Sequence, residues 1–346
     1  MNSRSHQLTV SEVIKETSDA ISLVFQVPES LRHRFEYSPG QFLTLQIPSE
    51  RTGSVARCYS LSTSPHCDDQ PAVTVKRTHR GYASNWICDN VAVGTVVTVL
   101  EPSGTFIPRS LDHDVALLAA GSGITPIMSI VKSILAVGTG SAALLYANRD
   151  SSSVIFEGQL NELLSKYPGR LTVWHWLEEE RGLPTAEVII DMLGPYVDRE
   201  IYLCGPSGFG TVAQAAAEHL QIPSQQIRHE EYRSLDTNPF EQLSSLPVES
   251  PRDGDTAIAE IEFEGQTYIF DWPRNQPLLD ALLAEGLDPP YVCRESACGT
   301  CVCSVKSGRT RMLLNESLID DELDAGLTLA CQTLPESDRV HITFDQ

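Results

Sequence analysis

Four cysteines near the C-terminus have the residue type and the spacing to bind an iron–sulfur cluster. Cys293, Cys298 and Cys301 are separated by four and two residues, and 29 residues separate Cys301 from Cys331. This is the spacing of the thiolate ligands of a plant-type [2Fe–2S] cluster. The loop between them has small residues and no proline, so its amides can donate hydrogen bonds to sulfur. A structural zinc site is the alternative, although such sites usually use two short cysteine pairs. Cys303 is interpreted as a packed thiol.

A second group of residues, within the first hundred, is suited to binding a flavin. Tyr59 can stack on an isoalloxazine ring, Ser60 can hydrogen-bond the N5 atom, and Arg57 can pair with a phosphate. Lys76 lies at the end of a predicted strand, and Gly81-Tyr82-Ala83-Ser84 begins a predicted helix whose N-terminus can bind a pyrophosphate. The Arg-x-Tyr-Ser pattern alone is a weak signal, since an ordinary strand is the alternative, and it does not distinguish FMN from FAD.

Two turns in the middle of the chain are candidates for binding a nicotinamide dinucleotide. Gly121, Gly123 and Pro126 follow an apolar strand, and Cys204-Gly205-Pro206 follows another. Ligands of open α/β sheets bind at the carboxyl ends of strands, where both turns are expected to lie. The first turn lacks the third glycine of the G-x-G-x-x-G pattern, so a plain strand-to-helix turn is the alternative. Cys204 could be a core thiol or could pack against the nicotinamide ring.

The residues at the end of the next strand bear on NADH versus NADPH. Asn148 and Arg149 are candidate contacts there, and Asp150 follows them. An acid suits the ribose 2′-hydroxyl of NADH, whereas an arginine suits the 2′-phosphate of NADPH. The two cues conflict, and these residues leave the choice open.

The hydrophobic patterning predicts a multidomain fold class. Short strands separated by turn signals predict an antiparallel β-barrel, the flavin domain, over 1–111. Continuous apolar strands alternating with helices predict a doubly wound α/β nicotinamide domain over 112–235. A proline- and serine-containing segment, 236–256, is the expected linker. The last segment, 257–346, is predicted to be an α+β domain of β-grasp shape that carries the cluster.

Composition narrows the classes of partner. The chain has 46 acidic and 25 basic residues, a net charge of −21, which disfavours binding to nucleic acid or to an anionic membrane. From Asp236 onward there are 21 acids and 7 bases, a net −14, which is either a solvated surface or a docking face for a protein partner. No signal peptide or spanning segment is recognised, so the expected location is the cytoplasm. The nine cysteines are then not expected to form disulfides.

Together these motifs resemble the ferredoxin–NAD(P)⁺ reductase superfamily over nearly the whole chain. Within it, the chain is similar to the three-domain reductases of bacterial oxygenases, above all to the reductase components of 3-ketosteroid 9α-hydroxylases, which are Rieske oxygenases. The resemblance rests on the segments 40–61, 81–86, 121–129 and 146–150.

The resemblance implies FAD as the flavin, NADH as the donor and a terminal Rieske oxygenase as the protein partner. It implies that Thr125 and Cys204 lie near the junction of flavin and nicotinamide. It also implies that Glu230 and Tyr232 form the family's Glu-x-aromatic element, where relatives often carry phenylalanine instead of Tyr232. The catalytic candidates are then Ser60, Cys204 and Glu230.

The expected function is therefore electron transfer from NADH through FAD and [2Fe–2S] to an oxygenase of sterol degradation. Two alternatives stay open. One is a reductase of the same architecture that serves an aromatic-ring or phenylacetyl-CoA oxygenase. The other is a zinc-stabilised dinucleotide-binding sensor without enzymatic activity.

Overall fold

The computed structural model describes residues 4–235, 237–241 and 256–345. Most of the expected linker, 236–256, lies outside the described residues. The chain forms two compact units: the first is His6–Ser234, and the second consists of the described parts of Met1–Ser5 and Leu235–Gln346. No helix among the described residues combines the length and apolar character needed to cross a bilayer.

The first unit begins with a six-stranded antiparallel barrel. Its strands are β1 (Ser5–Lys15), β2 (Ala20–Gln26), β3 (Phe42–Ser49), β4 (Gly53–Ser60), β5 (Ala72–Lys76) and β6 (Val96–Leu100), and helix α1 is Tyr82–Asn90. The strand order is β4-β3-β6-β1-β2-β5, and a bridge between Leu61 and Val73 joins the two edges. Strand alternation directs Val73 and Val75 into the core and leaves Thr74 and Lys76 on the opposite face. The predicted barrel is confirmed.

The remainder of the first unit is a parallel five-stranded sheet between helices. Its strands are β7 (Val115–Ala120), β8 (Ala142–Asn148), β9 (Leu171–Leu177), β10 (Glu200–Cys204) and β11 (Ile227–Glu230). Its helices are α2 (Ile124–Val137), α3 (Glu157–Lys166), α4 (Glu178–Arg181), α5 (Ala186–Leu193) and α6 (Ser207–His219). The order β11-β10-β7-β8-β9 reverses direction between β7 and β10, so a ligand crevice is expected at their carboxyl ends. Strands β7 and β8 are buried throughout, as their continuous apolar sequences predict.

The second unit is a mixed sheet packed on one helix. Its strands are β12 (Thr256–Phe263), β13 (Gln266–Pro273), β14 (Val302–Ser307), β15 (Thr310–Met312), β16 (Leu327–Leu329), β17 (Thr333–Pro335) and β18 (Arg339–Thr343), and its helices are α7 (Leu278–Ala284) and α8 (Asp320–Asp324). The main sheet has the order β13-β12-β18-β14-β16, and β15 pairs with β17. Trp272, fully buried, packs in its core together with α7. This arrangement confirms the predicted α+β class.

Candidate functional site

A cleft of about 240 Å³ lies between the barrel and the parallel sheet of the first unit. The predicted flavin residues that line it are Arg57, Tyr59, Ser60, Lys76, Gly81, Tyr82, Ala83, Ser84, Thr125 and Tyr232. Cys58 and Ser122, which lie within the flavin and nicotinamide motifs, also line the cleft, as do Thr74, Thr78 and Arg233, which no motif included. Thr74 could have been recognised from the sequence, because the alternation of side chains along β5 places it on the same face as Lys76.

The N-terminus of α1 forms one end of this cleft. The cap residue Gly81 has no side-chain cap, so the first helical N–H groups are not satisfied by a capping side chain. A Cβ on Gly81 would lie 2.8 Å from the Cβ of Thr78, so any larger residue would distort the turn. The Thr78 N–H donates to the Ser84 Oγ at 3.0 Å, which fixes the shape of the turn. A helix start of this kind fits the pyrophosphate of FAD.

A hydrogen-bonded group at the inner end of the cleft joins the barrel to the parallel sheet. The Ser60 Oγ donates to the Glu230 Oε2 at 3.1 Å and also lies 3.1 Å from the Tyr232 hydroxyl. The Tyr232 hydroxyl lies 2.8 Å from the Thr125 Oγ1 and donates weakly to the Ser122 carbonyl oxygen at 3.4 Å. These residues come from three segments that are far apart in the sequence, around Ser60, Thr125 and Glu230, and the fold brings the segments together.

Burial controls protonation in this group. Desolvation raises the pKa of Glu230 to about 7, partly offset by the hydrogen bond from Ser60. Burial and then the nearby Glu230 carboxyl raise the pKa of the Cys204 thiol. The pKa of Tyr232 is raised first by burial and then by Cys204 and Glu230. Near neutral pH, Cys204 and Tyr232 are therefore uncharged, and Glu230 is poised to gain or lose a proton.

The two predicted nicotinamide turns pack directly against each other. A Cβ on Gly123 would lie 2.0 Å from the Cys204 carbonyl oxygen, so only glycine permits this approach. Gly205 is also close-packed, since its Cβ would lie 3.0 Å from the Ala120 Cβ. Pro126 is buried within the first turn of α2, and Pro206 is the residue preceding α6. Gly121, at a φ of +53°, has the left-handed conformation that glycine favours.

Polar residues at the end of β8 form a cluster in which Asp150 is hydrogen-bonded and the Asn148 side chain, among the described residues, is not. Asp150 accepts hydrogen bonds from the Ser152 Oγ at 2.7 Å and from the Arg149 Nε at 3.0 Å, which lower the pKa of Asp150 to about 2. Asp150 thus caps the short 3-10 turn Ser151–Ser153. The side chain of Asn148 is buried, and neither of its amide atoms has a partner at hydrogen-bonding geometry among the described residues. A bound dinucleotide could satisfy it.

The four candidate cluster ligands of the second unit form two pairs. A side-chain hydrogen bond with Cys298 raises the pKa of Cys293, and one with Cys331 raises the pKa of Cys301. In the part of the chain that the structure describes, no three or more His, Cys, Asp or Glu side chains are arranged to bind one metal ion. Charge interactions also link Cys298 with Cys301 and Cys293 with Cys331, so the four thiols share one site, as a [2Fe–2S] cluster with four thiolate ligands requires.

The loop around these cysteines presents donors to sulfur. Arg294, Ser296 and Gly299 have left-handed backbone conformations, with φ of +62°, +67° and +66°, so the loop bends repeatedly between the cysteines. The Glu295 N–H donates to the Cys293 Sγ at 3.3 Å. The Ser296 hydroxyl is buried and has no partner among the described residues, so it can donate to cluster sulfide. The residues present therefore fit a [2Fe–2S] cluster.

Comparisons with known proteins agree with this arrangement. The oxidoreductase FAD-binding domain model matches residues 7–107, the oxidoreductase NAD-binding domain model matches 117–215, and the 2Fe-2S iron-sulfur cluster binding domain model matches 261–336. The chain is 52% identical to the ferredoxin reductase component of 3-ketosteroid-9-alpha-monooxygenase from Mycobacterium tuberculosis, over 98% of this chain and 96% of that protein. The chain belongs to this family of ferredoxin reductase components.

More distant likenesses show how widely the architecture of this ferredoxin reductase is used. The chain is 32% identical to one of the subunits of 1,2-phenylacetyl-CoA epoxidase from Escherichia coli, over 98% of both chains. The solved structure of phthalate dioxygenase reductase superposes with a TM-score of 0.58 at 21% identity, covering 98% of each chain, which shows a shared fold. The predicted FAD, nicotinamide and [2Fe–2S] cofactors and the oxidoreductase class are confirmed, so the zinc-sensor alternative is wrong.

Two predicted residues acquire contacts that the sequence did not suggest. Lys76 lies near the first nicotinamide turn, since its Nζ would be 3.9 Å from a Cβ on Gly121. Arg57 donates to the neighbouring Ala56 carbonyl oxygen at 2.6 Å while its side chain lines the cleft. Cys303 is fully buried in the core of the second unit, which confirms its interpretation as a packed thiol.

Proposed function

We propose that this reductase takes electrons from NADH and delivers them, through FAD and the [2Fe–2S] cluster, to the terminal Rieske oxygenase of a 3-ketosteroid 9α-monooxygenase. The observation that carries the proposal is the 52% identity along 98% of the chain to a reductase component of that name. A cleft lined by the predicted flavin residues and two cysteine pairs on the same chain are consistent with it. The cysteines and cluster require a reducing compartment, so we also propose a cytoplasmic location.

We assign the cleft residues as follows. Arg57 and the α1 N-terminus at Gly81–Ser84 hold the phosphates, because a guanidinium and open helical N–H groups both favour anions. Tyr59 provides an apolar face for the flavin ring. Bound FAD supplies the conversion from a hydride acceptor to a single-electron donor, and the cluster accepts those electrons one at a time.

The Ser60–Glu230 pair manages a proton beside the flavin. When Glu230 is protonated, it can donate to the Ser60 Oγ, which leaves the Ser60 hydrogen free to point into the cleft. When Glu230 is ionised, its carboxylate accepts that hydrogen instead. With a pKa of about 7, Glu230 switches between these arrangements near neutral pH.

The nicotinamide is assigned to the gap between the Gly121–Pro126 and Cys204–Pro206 turns and the flavin cleft. Thr125 and Cys204 lie within reach of one hydroxyl, that of Tyr232, so they face a common space. Cys204, kept neutral by burial, offers an apolar thiol rather than a nucleophile. Near the end of β8, the ionised Asp150 lies beside Asn148 and Arg149; it disfavours a 2′-phosphate and supports NADH over NADPH.

The cluster ligands are assigned to Cys293, Cys298, Cys301 and Cys331, whose thiolates would hold a [2Fe–2S] cluster. The proposed domain limits are 1–111, 112–235 and 257–346, with a linker at 236–256.

The test is reconstitution with purified oxygenases. Wild-type protein should drive hydroxylation by a 3-ketosteroid oxygenase and should couple poorly to the oxygenase component of phenylacetyl-CoA epoxidase. Cys298→Ser should keep NADH-driven dye reduction and lose steroid hydroxylation, because the electron path is broken after the flavin. Preferred coupling to the epoxidase would overturn the steroid assignment, and hydroxylation by Cys298→Ser would overturn the order of electron transfer.

A further inference from the structure

Two adjacent leucines are exposed beside the candidate cluster ligands. The exposed fractions of Leu313 and Leu314 are 55% and 49%. The Leu313 N–H donates to the Gln332 carbonyl oxygen at 2.9 Å, and Gln332 directly follows Cys331. The Gln332 side-chain amide lies 3.7 Å from the Cys331 Sγ. Leu313 is therefore hydrogen-bonded to the residue that follows the candidate ligand Cys331, so the leucine pair lies beside the cluster site.

The position of this pair distinguishes it from other exposed apolar residues of the second unit. Single exposed apolar side chains are common on proteins and need no explanation. Ile258 and Ile269, with exposed fractions of 41% and 63%, lie on β12 and β13 at one edge of the main sheet. The candidate ligands flank β14 and β16 at the other edge. The leucines are thus the exposed apolar pair on the cluster side.

Charged residues of both signs lie close to the leucines in the sequence: the exposed Arg309 and Arg311 precede them, and acidic residues follow. Glu316, Asp320, Asp321 and Asp324 are all exposed, and the last three belong to α8. The segment from Asp236 onward nevertheless carries 21 acids and 7 bases, so a surface with an apolar centre and a basic rim would complement it. Neither the rest of the chain nor a second copy is basic overall, because residues 1–235 carry a net −7 and a second copy of the chain carries −21. Charge thus favours a separate, basic partner.

We propose that Leu313 and Leu314 are the apolar anchor of the docking site for the oxygenase that accepts electrons from the cluster. This inference rests on the proposed function and adds the surface and the chemistry of the contact. Electron transfer out of the cluster requires close approach of the acceptor, and this pair lies beside Cys331, one of the candidate ligands. The oxygenase surface that meets it is expected to be apolar at its centre and rich in lysine and arginine around it.

The experiment compares two double variants of the full-length holoenzyme. Leu313→Ser/Leu314→Ser removes the anchor, and Ile258→Ser/Ile269→Ser removes exposed apolar side chains from the other edge of the same sheet. Steady-state hydroxylation gives the KM for the oxygenase, and stopped-flow absorbance gives the rate at which NADH reduces the cluster. We expect the leucine variant to raise this KM about tenfold, a size typical of losing interface anchors. The cluster spectrum and the cluster reduction rate of the leucine variant should match wild type. The isoleucine variant should keep the wild-type KM, cluster spectrum and cluster reduction rate.

Three results would overturn the docking assignment. An unchanged KM in the leucine variant would show that the pair is not an anchor. A slower cluster reduction with unchanged KM would show that the pair meets the flavin-binding unit of its own chain. Loss of a wild-type dimer in sedimentation, again with unchanged KM, would show that it meets a second copy. Failure of wild-type protein to drive the oxygenase would instead overturn the proposed function, and this docking assignment with it.

Discussion

Removing the hydroxyl of Tyr232 should make NADH bind more tightly. This hydroxyl lies 3.1 Å from the Ser60 Oγ on the barrel side and 2.8 Å from the Thr125 Oγ1 on the nicotinamide side. A nicotinamide ring that enters the gap between these residues must break both hydrogen bonds. Tyr232→Phe keeps the ring and removes the bonds, so the unliganded cleft loses stability while the liganded one does not.

The size of the effect follows from the number of bonds and their exposure. A neutral hydrogen bond contributes about 1 kcal/mol net, and a hydroxyl with one hydrogen can make two good bonds here. The Tyr232 ring is partly exposed but its hydroxyl is buried, and the 3.1 Å bond to Ser60 is long, so only the 2.8 Å bond to Thr125 is counted at full strength. The remaining ~1 kcal/mol corresponds to a roughly fivefold lower KM for NADH.

The assay is steady-state reduction of a dye by NADH, with kcat and KM determined separately. The KM should fall about fivefold, and kcat should stay close to wild type because the hydroxyl is displaced before hydride transfer. Tyr268→Phe is a matched control, since the Tyr268 hydroxyl donates to the Gln266 Oε1 at 3.0 Å in the second unit. An unchanged or higher KM in Tyr232→Phe would refute the idea that nicotinamide displaces this hydroxyl.

Three further predictions concern the same unit. In wild type, the rate of dye reduction should fall as pH rises through about 7, because the ionised Glu230 carboxylate accepts the Ser60 hydrogen. In Glu230→Gln this inflection in the pH profile should be absent, and the rate above pH 7 should stay as high as below it. Arg170→Met should lower the free energy of unfolding by about 2–3 kcal/mol, because Arg170 donates to four backbone carbonyls around the end of α2. Urea titration measures this change, and an unchanged unfolding midpoint would contradict it. Gly123→Ala should abolish NADH oxidation, because the new Cβ clashes with the Cys204 carbonyl oxygen, while the absorbance spectrum of the bound flavin should stay as in wild type. Near-wild-type activity would show that the two turns can separate.

The cofactors were predictable from the sequence because their chemistry depends on residue identity and spacing. The cysteine spacing from Cys293 to Cys331 restricts the choice of metal centre before any fold is known. The pairing of these cysteines was not predictable. The loop between Cys293 and Cys298 has left-handed backbone at Arg294 and Ser296, and neither is a glycine that would indicate such a conformation.

The fold was predictable to different degrees in its different layers. Strands β7 and β8 are continuous apolar runs, so the parallel sheet was clear from the sequence. Strands β1 and β4 were not predicted, because their polar and charged residues mask the alternation: β1 buries only Leu8 and Val10 fully. Their pairing with apolar neighbours, rather than their own sequence, makes them strands.

The contacts within the candidate site were the least predictable feature. Asp150 was considered as a ribose ligand, but it also caps a 3-10 turn and pairs with Arg149. Tyr232 was considered for its ring, yet its hydroxyl makes the contacts that join the two sides of the cleft. Such contacts arise from tertiary packing between distant segments, which residue spacing does not encode. The roles assigned to these residues stay predictions until they are tested.

The central claim, that one chain passes electrons from a bound flavin to a thiolate-held iron pair, is tested most directly by an anaerobic NADH titration. Absorbance should follow the flavin, and electron paramagnetic resonance should follow the reduced cluster. A two-electron flavin and a one-electron cluster predict full reduction at about 1.5 NADH per chain, with both signals developing. Saturation at one NADH with no cluster signal, in protein that contains iron and flavin, would contradict the account.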